Sequence, residues 1–173
     1  MEKATFAGGC FWAMEDAFSG LAGVTQTQVG YMGGHAVNPT HTQVRTGKTG
    51  HAEVVDIVFD NALISFEDLL KTFFNAHDPT QYNRQGPDVG PEFRSAVFYH
   101  SPQQQHLAAQ MRSVHNKIKG FPRPIMTEIT AASTFYPADE MHQHFLAKER
   151  ARHHPWHPPI AEALAERKGL HLR

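Results

Sequence analysis

The stretch KATFAGGCFWAMEDAFSGLAGVTQTQVGYMGG, Lys3 to Gly34, sets the architecture. Lys3–Ala7 reads as a short strand broken by Gly8-Gly9. From Cys10 the apolar period turns helical, with Phe11, Met14, Phe18 and Leu21 at i, i+3, i+7 and i+10 on one stripe. Gly20 and Gly23 punctuate its end, and Val24–Met32 reads as a second strand stopped by Gly33-Gly34. A strand, an amphipathic helix and a strand in immediate succession lay a helix on one face of a sheet.

Working outward, a polar, Gly-bearing stretch to about Gly50 is the first long loop. His51–Asp60 alternates as a strand, with Ala52, Val54, Asp56 and Val58 on one face and Glu53, Val55, Ile57 and Phe59 on the other. Ser65 caps a helix with Asp68 at its N3 position, and Phe66, Leu69, Leu70 and Phe73 follow. His77–Phe93 is a second long loop and Ser95–His100 a strand. Ser101-Pro102-Gln103-Gln104 supplies an N-cap, a proline at N1 and Gln at N3; Leu107, Met111, Val114 and Ile118 form that helix's stripe, and Gly120 ends it. Ile125–Ala131 is the last strand, followed by a short helix near Ala138–Lys148 and another from about Ile160 to Lys168. The expected class is α/β, an α+β two-layer sandwich, with one catalytic domain over 1–148 and a C-terminal tail, 149–173, packed on or extending from it. Which strands pair stays open. Two long loops in a compact domain point to functional segments.

Composition narrows the function classes. At 173 residues, 40% apolar and 19% charged, the chain is an ordinary globule that needs neither disulfides nor metal to fold. Its single cysteine excludes a disulfide framework within the chain and a Cys-rich zinc site. Sixteen Lys+Arg against seventeen Asp+Glu, net −1, argue against broad binding to nucleic acid or anionic lipid. No apolar run nears the roughly 18 residues that span a bilayer. Met1-Glu2-Lys3 leads straight into a strand without a signal-peptide core, so a reducing, cytoplasmic compartment is expected; a monomer is the expected state. Among the thirteen histidines, His142 and His144 would lie about 200° apart on a helix. His153, His154 and His157 are interrupted by Pro155 and lack a carboxylate or cysteine to complete a set, so no metal is expected.

Two residues carry chemistry. Cys10 sits where a glycine turn hands a strand over to a helix, whose N–H groups and dipole favour a thiolate. Such positions lower a cysteine pKa from about 8.5 to about 3.5–7.5. The other reading is a small buried hydrophobe. Trp12 falls about 100° off the apolar stripe, free either to stand beside the thiol or to pack at the sheet edge. Glu53 shares its strand face with Val55, Ile57 and Phe59, where desolvation would raise its pKa and keep a proton ready as a general acid. Alternatively it reaches water or pairs with Lys48 or Arg45.

Gly8-Gly9-Cys10-Phe11-Trp12 resembles the active-site signature of the type A peptide methionine sulfoxide reductases. Gly30-Tyr31-Met32-Gly33-Gly34, Asn38-Pro39-Thr40, Thr49-Gly50-His51-Ala52-Glu53, His77-Asp78-Pro79-Thr80, Arg84-Gln85-Gly86 and Arg94-Ser95-Ala96 resemble the family's segments in the family's order. Thr127-Glu128-Ile129 and His142-Gln143 continue the series, which runs from about Thr5 to about Leu146. The resemblance implies a ferredoxin-like mixed-sheet core with a long irregular tail. It also implies reduction of methionine S-sulfoxide, free or in proteins, through a cysteine sulfenic acid. Cys10 would be the nucleophile, Glu53 the proton donor, Asp88 a polar partner, and Phe11 and Trp12 the walls that receive the substrate methyl group.

The departures lie around the substrate oxygen. The family's tyrosine after Asn-Pro-Thr is His41 here, and its tyrosine before Arg-Ser is Phe93. Tyr31 and Tyr82 are candidates to replace the lost phenols. Ala13 stands where the family commonly has glycine. No cysteine lies in the tail to resolve a sulfenic acid, so the resemblance implies no bound cofactor and an external reductant: thioredoxin, glutaredoxin or glutathione, or dithiothreitol in vitro. The alternative is a weak or non-catalytic member that binds oxidised methionine or senses oxidants through Cys10.

Overall fold

Two strand–helix–strand units interleave in one sheet of the computed structural model, which describes residues 1–118 and 123–153. In chain order the elements are β1 (Glu2–Gly8), α1 (Phe11–Ser19), β2 (Val24–Met32), α2 (His41–Arg45), β3 (Ala52–Phe59) and α3 (Phe66–Ala76). There follow the two-residue strands β4 (Arg84–Gln85) and β5 (Asp88–Val89), then β6 (Ser95–Tyr99), α4 (Pro102–Ile118), β7 (Glu128–Ala131), β8 (Tyr136–Pro137) and α5 (Phe145–His153). Short 3₁₀ turns cover Pro91–Phe93 and Glu140–His142.

The main sheet runs β7-β6-β1-β3-β2-β8. β3 is antiparallel to both β1 and β2, so those two run parallel with β3 between them and α1 as their crossover. β6 is antiparallel to β1 on its other side and therefore parallel to β3, with α3 between the two in sequence. These are the split βαβ units of a ferredoxin-like core, as the resemblance implies. β7 adds a parallel edge and β8 an antiparallel one, which makes the sheet mixed.

The period-2 reading of β3 locates the core. Val55, Ile57 and Phe59 join Ala4 and Phe6 under the helices, where the Phe6 ring stacks on Phe18, Phe66 and Phe73 at 5.2, 6.0 and 5.0 Å. The opposite face is buried too: Ala7, Ala52, Val54, Ala96 and Phe98 pack against Ala132 and Phe135. The capping box expected at Ser65 and Asp68 starts α3, and Ser101 caps α4 through the Gln104 N–H.

Three expectations need correction. Ile125–Ala131 is not the last strand: β7 begins only at Glu128, and β8 follows it to pair with β2 at the other edge. The buried face of α4 is Gln104, Ala108 and His115, with Leu107 and Met111 packed beside it, and Val114 is 41% exposed. His115 takes the core-facing place because its ring stacks on Phe74 at 4.9 Å. The helix expected at Ala138–Lys148 is instead a 3₁₀ turn and α5, separated by His144 at φ +51°, and α5 continues past residue 148. Side-chain bonds impose the break: Gln143 bonds the backbone of Val29, and Glu15 Oε1 accepts from the His144 N–H at 2.6 Å. Gly120 and the helix expected at 160–168 lie outside the described residues. Among the described residues no helix is long and apolar enough to cross a membrane.

Candidate active site

β1 ends at a glycine turn that only glycine fits. Gly9 has φ +94°, and a Cβ there would stand 2.8 Å from Cβ of Gln85. Gln85 in turn bonds the backbone N–H and carbonyl of Asp78, both at 2.9 Å, which holds the β4–β5 hairpin over the turn. Its cross-strand partner is Asp88. Cys10 is the N-cap of α1, half-buried, and the backbone N–H groups of Trp12 and Ala13 bond the sulfur.

The thiol is nonetheless protonated at rest. Burial outweighs those N–H groups, the carboxylates of Glu53 and Asp88 add to it, and the Cys10 pKa is pushed up to about 11. This corrects the expectation of a lowered value. The helix N-terminus is present, but burial outweighs it, and the charges of two acidic side chains, on β3 and the hairpin, act in the same direction.

Glu53 on β3 is 2% exposed, and its Oε1 accepts from the Phe11 N–H at 3.2 Å. Burial raises its pKa to about 7; the Phe11 N–H and Arg45 pull the other way, and Glu92 and Asp88 reinforce the rise. Its Oε2 lies 3.8 Å from Nε2 of His41. A capping box of Thr40 and Gln43 starts α2 at His41, whose side chain is 27% exposed. Burial, with His142 and Arg45 adding to it, lowers the His41 pKa, so the ring is neutral at pH 7.

Aromatic rings line the space beside the sulfur. Phe11 is buried against Tyr31, His41 and His142 at centroid distances of 5.8, 5.9 and 5.5 Å. Trp12 stacks on Phe145 at 3.8 Å, and its indole N–H donates to Nδ1 of His142 at 3.2 Å. That bond places the proton of the neutral His142 ring on Nε2. The His41 and His142 rings are 4.3 Å apart. Tyr31 stands directly opposite Glu53 across the β2–β3 ladder, 1% exposed, and its hydroxyl has no partner among the described residues. Phe93 is buried with the Arg45 guanidinium 5.7 Å over its ring, whereas Tyr82 is 67% exposed on the loop before β4.

The fold thus brings Cys10, Phe11, Trp12, His41, Glu53 and Tyr31 together, with Asp88 beside them, and leaves Tyr82 at the surface. Sequence reasoning missed Glu92, which is buried in a 3₁₀ turn where no periodicity marks burial. It also missed the contact of His142 with Trp12, 130 positions apart in the chain. Among the described residues no three His, Cys, Asp or Glu side chains converge as metal ligands would.

Comparisons with known proteins identify the family. The family model described as "Peptide methionine sulfoxide reductase" matches residues 2–168. The chain is 52% identical over 151 residues to peptide methionine sulfoxide reductase MsrA of Methanothermobacter thermautotrophicus, covering 87% of this chain and 89% of that protein. Among solved structures it resembles methionine sulfoxide reductase A of Corynebacterium diphtheriae, with TM-score 0.81, 33% identity, and 91% and 77% of the two chains covered. It also resembles Mxr1 of Saccharomyces cerevisiae in reduced form, with TM-score 0.80, 30% identity, and 91% and 88% covered. A match over nearly the whole chain, in sequence and in fold, shows that this protein belongs to the peptide methionine sulfoxide reductase family.

Proposed function

We propose that the protein reduces methionine S-sulfoxide, free or in proteins, to methionine, with residues 1–148 as the catalytic unit. One observation carries the mechanism: the half-buried Cys10 thiol caps α1, and the buried Glu53 carboxyl accepts from the N–H of the next residue, Phe11. With the Cys10 pKa about 11 and that of Glu53 about 7, the one proton of the pair rests on sulfur. The positive sulfur of a bound sulfoxide favours the thiolate and draws the proton across to Glu53. The Cys10 sulfur then attacks the sulfoxide sulfur while Glu53 protonates the oxygen. The S–O bond breaks to leave hydroxide and a Cys10–sulfonium S–S bond. That hydroxide attacks the Cys10 sulfur, the S–S bond breaks with its electron pair going to the departing methyl thioether, and Cys10 is left as sulfenic acid. Thiol plus sulfoxide gives sulfenic acid plus thioether, with no proton gained or lost.

Phe11 and Trp12 receive the methyl group, His41 and Phe93 flank the oxygen side, and Asp88 holds the carboxylate field around the sulfur. A fixed methyl wall and a fixed acid together discriminate one sulfur epimer from the other. This chain holds one cysteine, so the sulfenic acid passes to an external thiol: a thioredoxin-type protein, glutaredoxin or glutathione, or dithiothreitol in vitro. It needs no bound cofactor and works as a monomer in the reducing cytoplasm. Turnover of the separated epimers with dithiothreitol tests the reading. The S epimer is consumed and the R epimer is left; equal consumption of both contradicts the site geometry.

A further inference from the structure

The most conspicuous unused group in the molecule is a hydroxyl. Tyr31 is 1% exposed, and its OH makes no hydrogen bond among the described residues. Buried phenols ordinarily find a partner, because an unpaired polar group loses its water without compensation. Here the ring packs on Phe11 and His41, both at the site, and Tyr31 is the direct cross-strand neighbour of Glu53. Directly opposed residues of an antiparallel pair project on the same face, side by side. Burial, with the carboxylates of Glu53 and Asp139 adding to it, raises the Tyr31 pKa, so the phenol keeps its proton at any working pH.

We infer that the Tyr31 hydroxyl is a catalytic hydrogen-bond donor that holds the substrate's sulfoxide oxygen beside Glu53. Among the described residues the hydroxyl has no partner; in the complex the substrate oxygen supplies one. The bond strengthens as the S–O bond breaks and negative charge gathers on oxygen, before the Glu53 proton has fully transferred. Tyr31 thus gives the substrate oxygen a second donor and fixes its direction, which complements the methyl wall at Phe11 and Trp12. His41 is a weaker candidate because its ring is partly exposed and already faces Glu53 at 3.8 Å.

The inference rests on the reductase reading, and one pair of measurements separates the two. Tyr31→Phe removes only the hydroxyl. Methionine formation in a single turnover with saturating S-sulfoxide should slow by about 100- to 1000-fold, the range for a lost oxyanion donor. The thermal midpoint should stay level or rise, since no bond is lost in the free protein. A structural hydroxyl would behave the other way, with a lower midpoint and an unchanged rate per folded chain. An unchanged rate in Tyr31→Phe, or a rate loss accompanied by a lower midpoint, overturns the assignment. Absence of methionine formation by the wild-type protein would instead overturn the reductase reading itself.

Discussion

Two buried polar clusters flank the Gly8–Cys10 turn, and they are built on opposite principles. On one side, Nδ1 of His77 donates to the Phe73 carbonyl at 2.7 Å and its Nε2 accepts from the Ser95 hydroxyl at 2.8 Å. The Thr127 hydroxyl completes the chain to Ser95 at 2.8 Å. Every polar atom is used, and burial pushes the His77 pKa down to about 4. On the other side, His41 stands 3.8 Å from Glu53, the Tyr31 hydroxyl has no partner among the described residues, and a thiol and a carboxyl contend for one proton. A satisfied network rigidifies a core, and an unsatisfied one waits for a ligand. The contrast assigns stability to the first cluster and chemistry to the second.

The sharpest way to break that contrast is to remove the sulfur. Cys10→Ser should form no methionine while keeping the wild-type thermal midpoint, because a serine hydroxyl still accepts from the Trp12 and Ala13 N–H groups; activity above a trace would show another nucleophile. Next in size is Glu53→Gln, which keeps the bond from the Phe11 N–H through its amide oxygen but cannot deliver a proton. Its single-turnover rate should fall by about 10- to 1000-fold, and a near wild-type rate would move the acid elsewhere.

The satisfied cluster should respond in stability instead. The folded-state pKa of His77 lies below the ordinary value for histidine, so the unfolded chain takes up its proton first as pH falls. Stability is therefore full above about pH 6.5 and should decline by about 3 kcal/mol on acidification to pH 4, a slope absent from His77→Gln. Denaturant titrations at several pH values measure it. The smallest effect belongs to Gln143, whose amide bonds the Val29 N–H and carbonyl at 2.8 Å each and the Ala138 carbonyl at 3.0 Å. Gln143→Leu should cost about 1–3 kcal/mol by stranding those groups, and it should loosen His142 from Trp12, which indole fluorescence would report.

What was legible in the sequence was local. The β1–α1–β2 unit, the Ser65–Asp68 capping box and the placement of Glu53 on the helix-facing side of β3 all follow from periods of 3.6 and 2 and from cap chemistry. The proton affinity of Cys10 was not legible. The helix N-terminus that argues for a thiolate is a local feature, whereas the opposing Glu53 and Asp88 come from β3 and from a hairpin of two-residue strands. Likewise the break at His144 depends on Glu15 of α1 and on the Val29 backbone, partners more than a hundred positions away. Tyr31 was visible as a candidate, but its orphan hydroxyl emerges only from the packing around it.

The central claim is that one proton, shared between Cys10 and Glu53, rests on sulfur and must cross to the carboxyl for reaction. The pH dependence of the second-order rate constant for single-turnover methionine formation tests it most directly, because that constant reports ionisations of the free protein. Below pH 7 both groups are protonated and one proton must leave, so the rate should rise about tenfold per pH unit to about pH 7 and then level off, the two apparent values belonging to the pair. Glu53→Gln should lose that break near pH 7. A wild-type rate that is flat below pH 7 and falls above it would mean a thiolate already formed at rest, and would contradict the account.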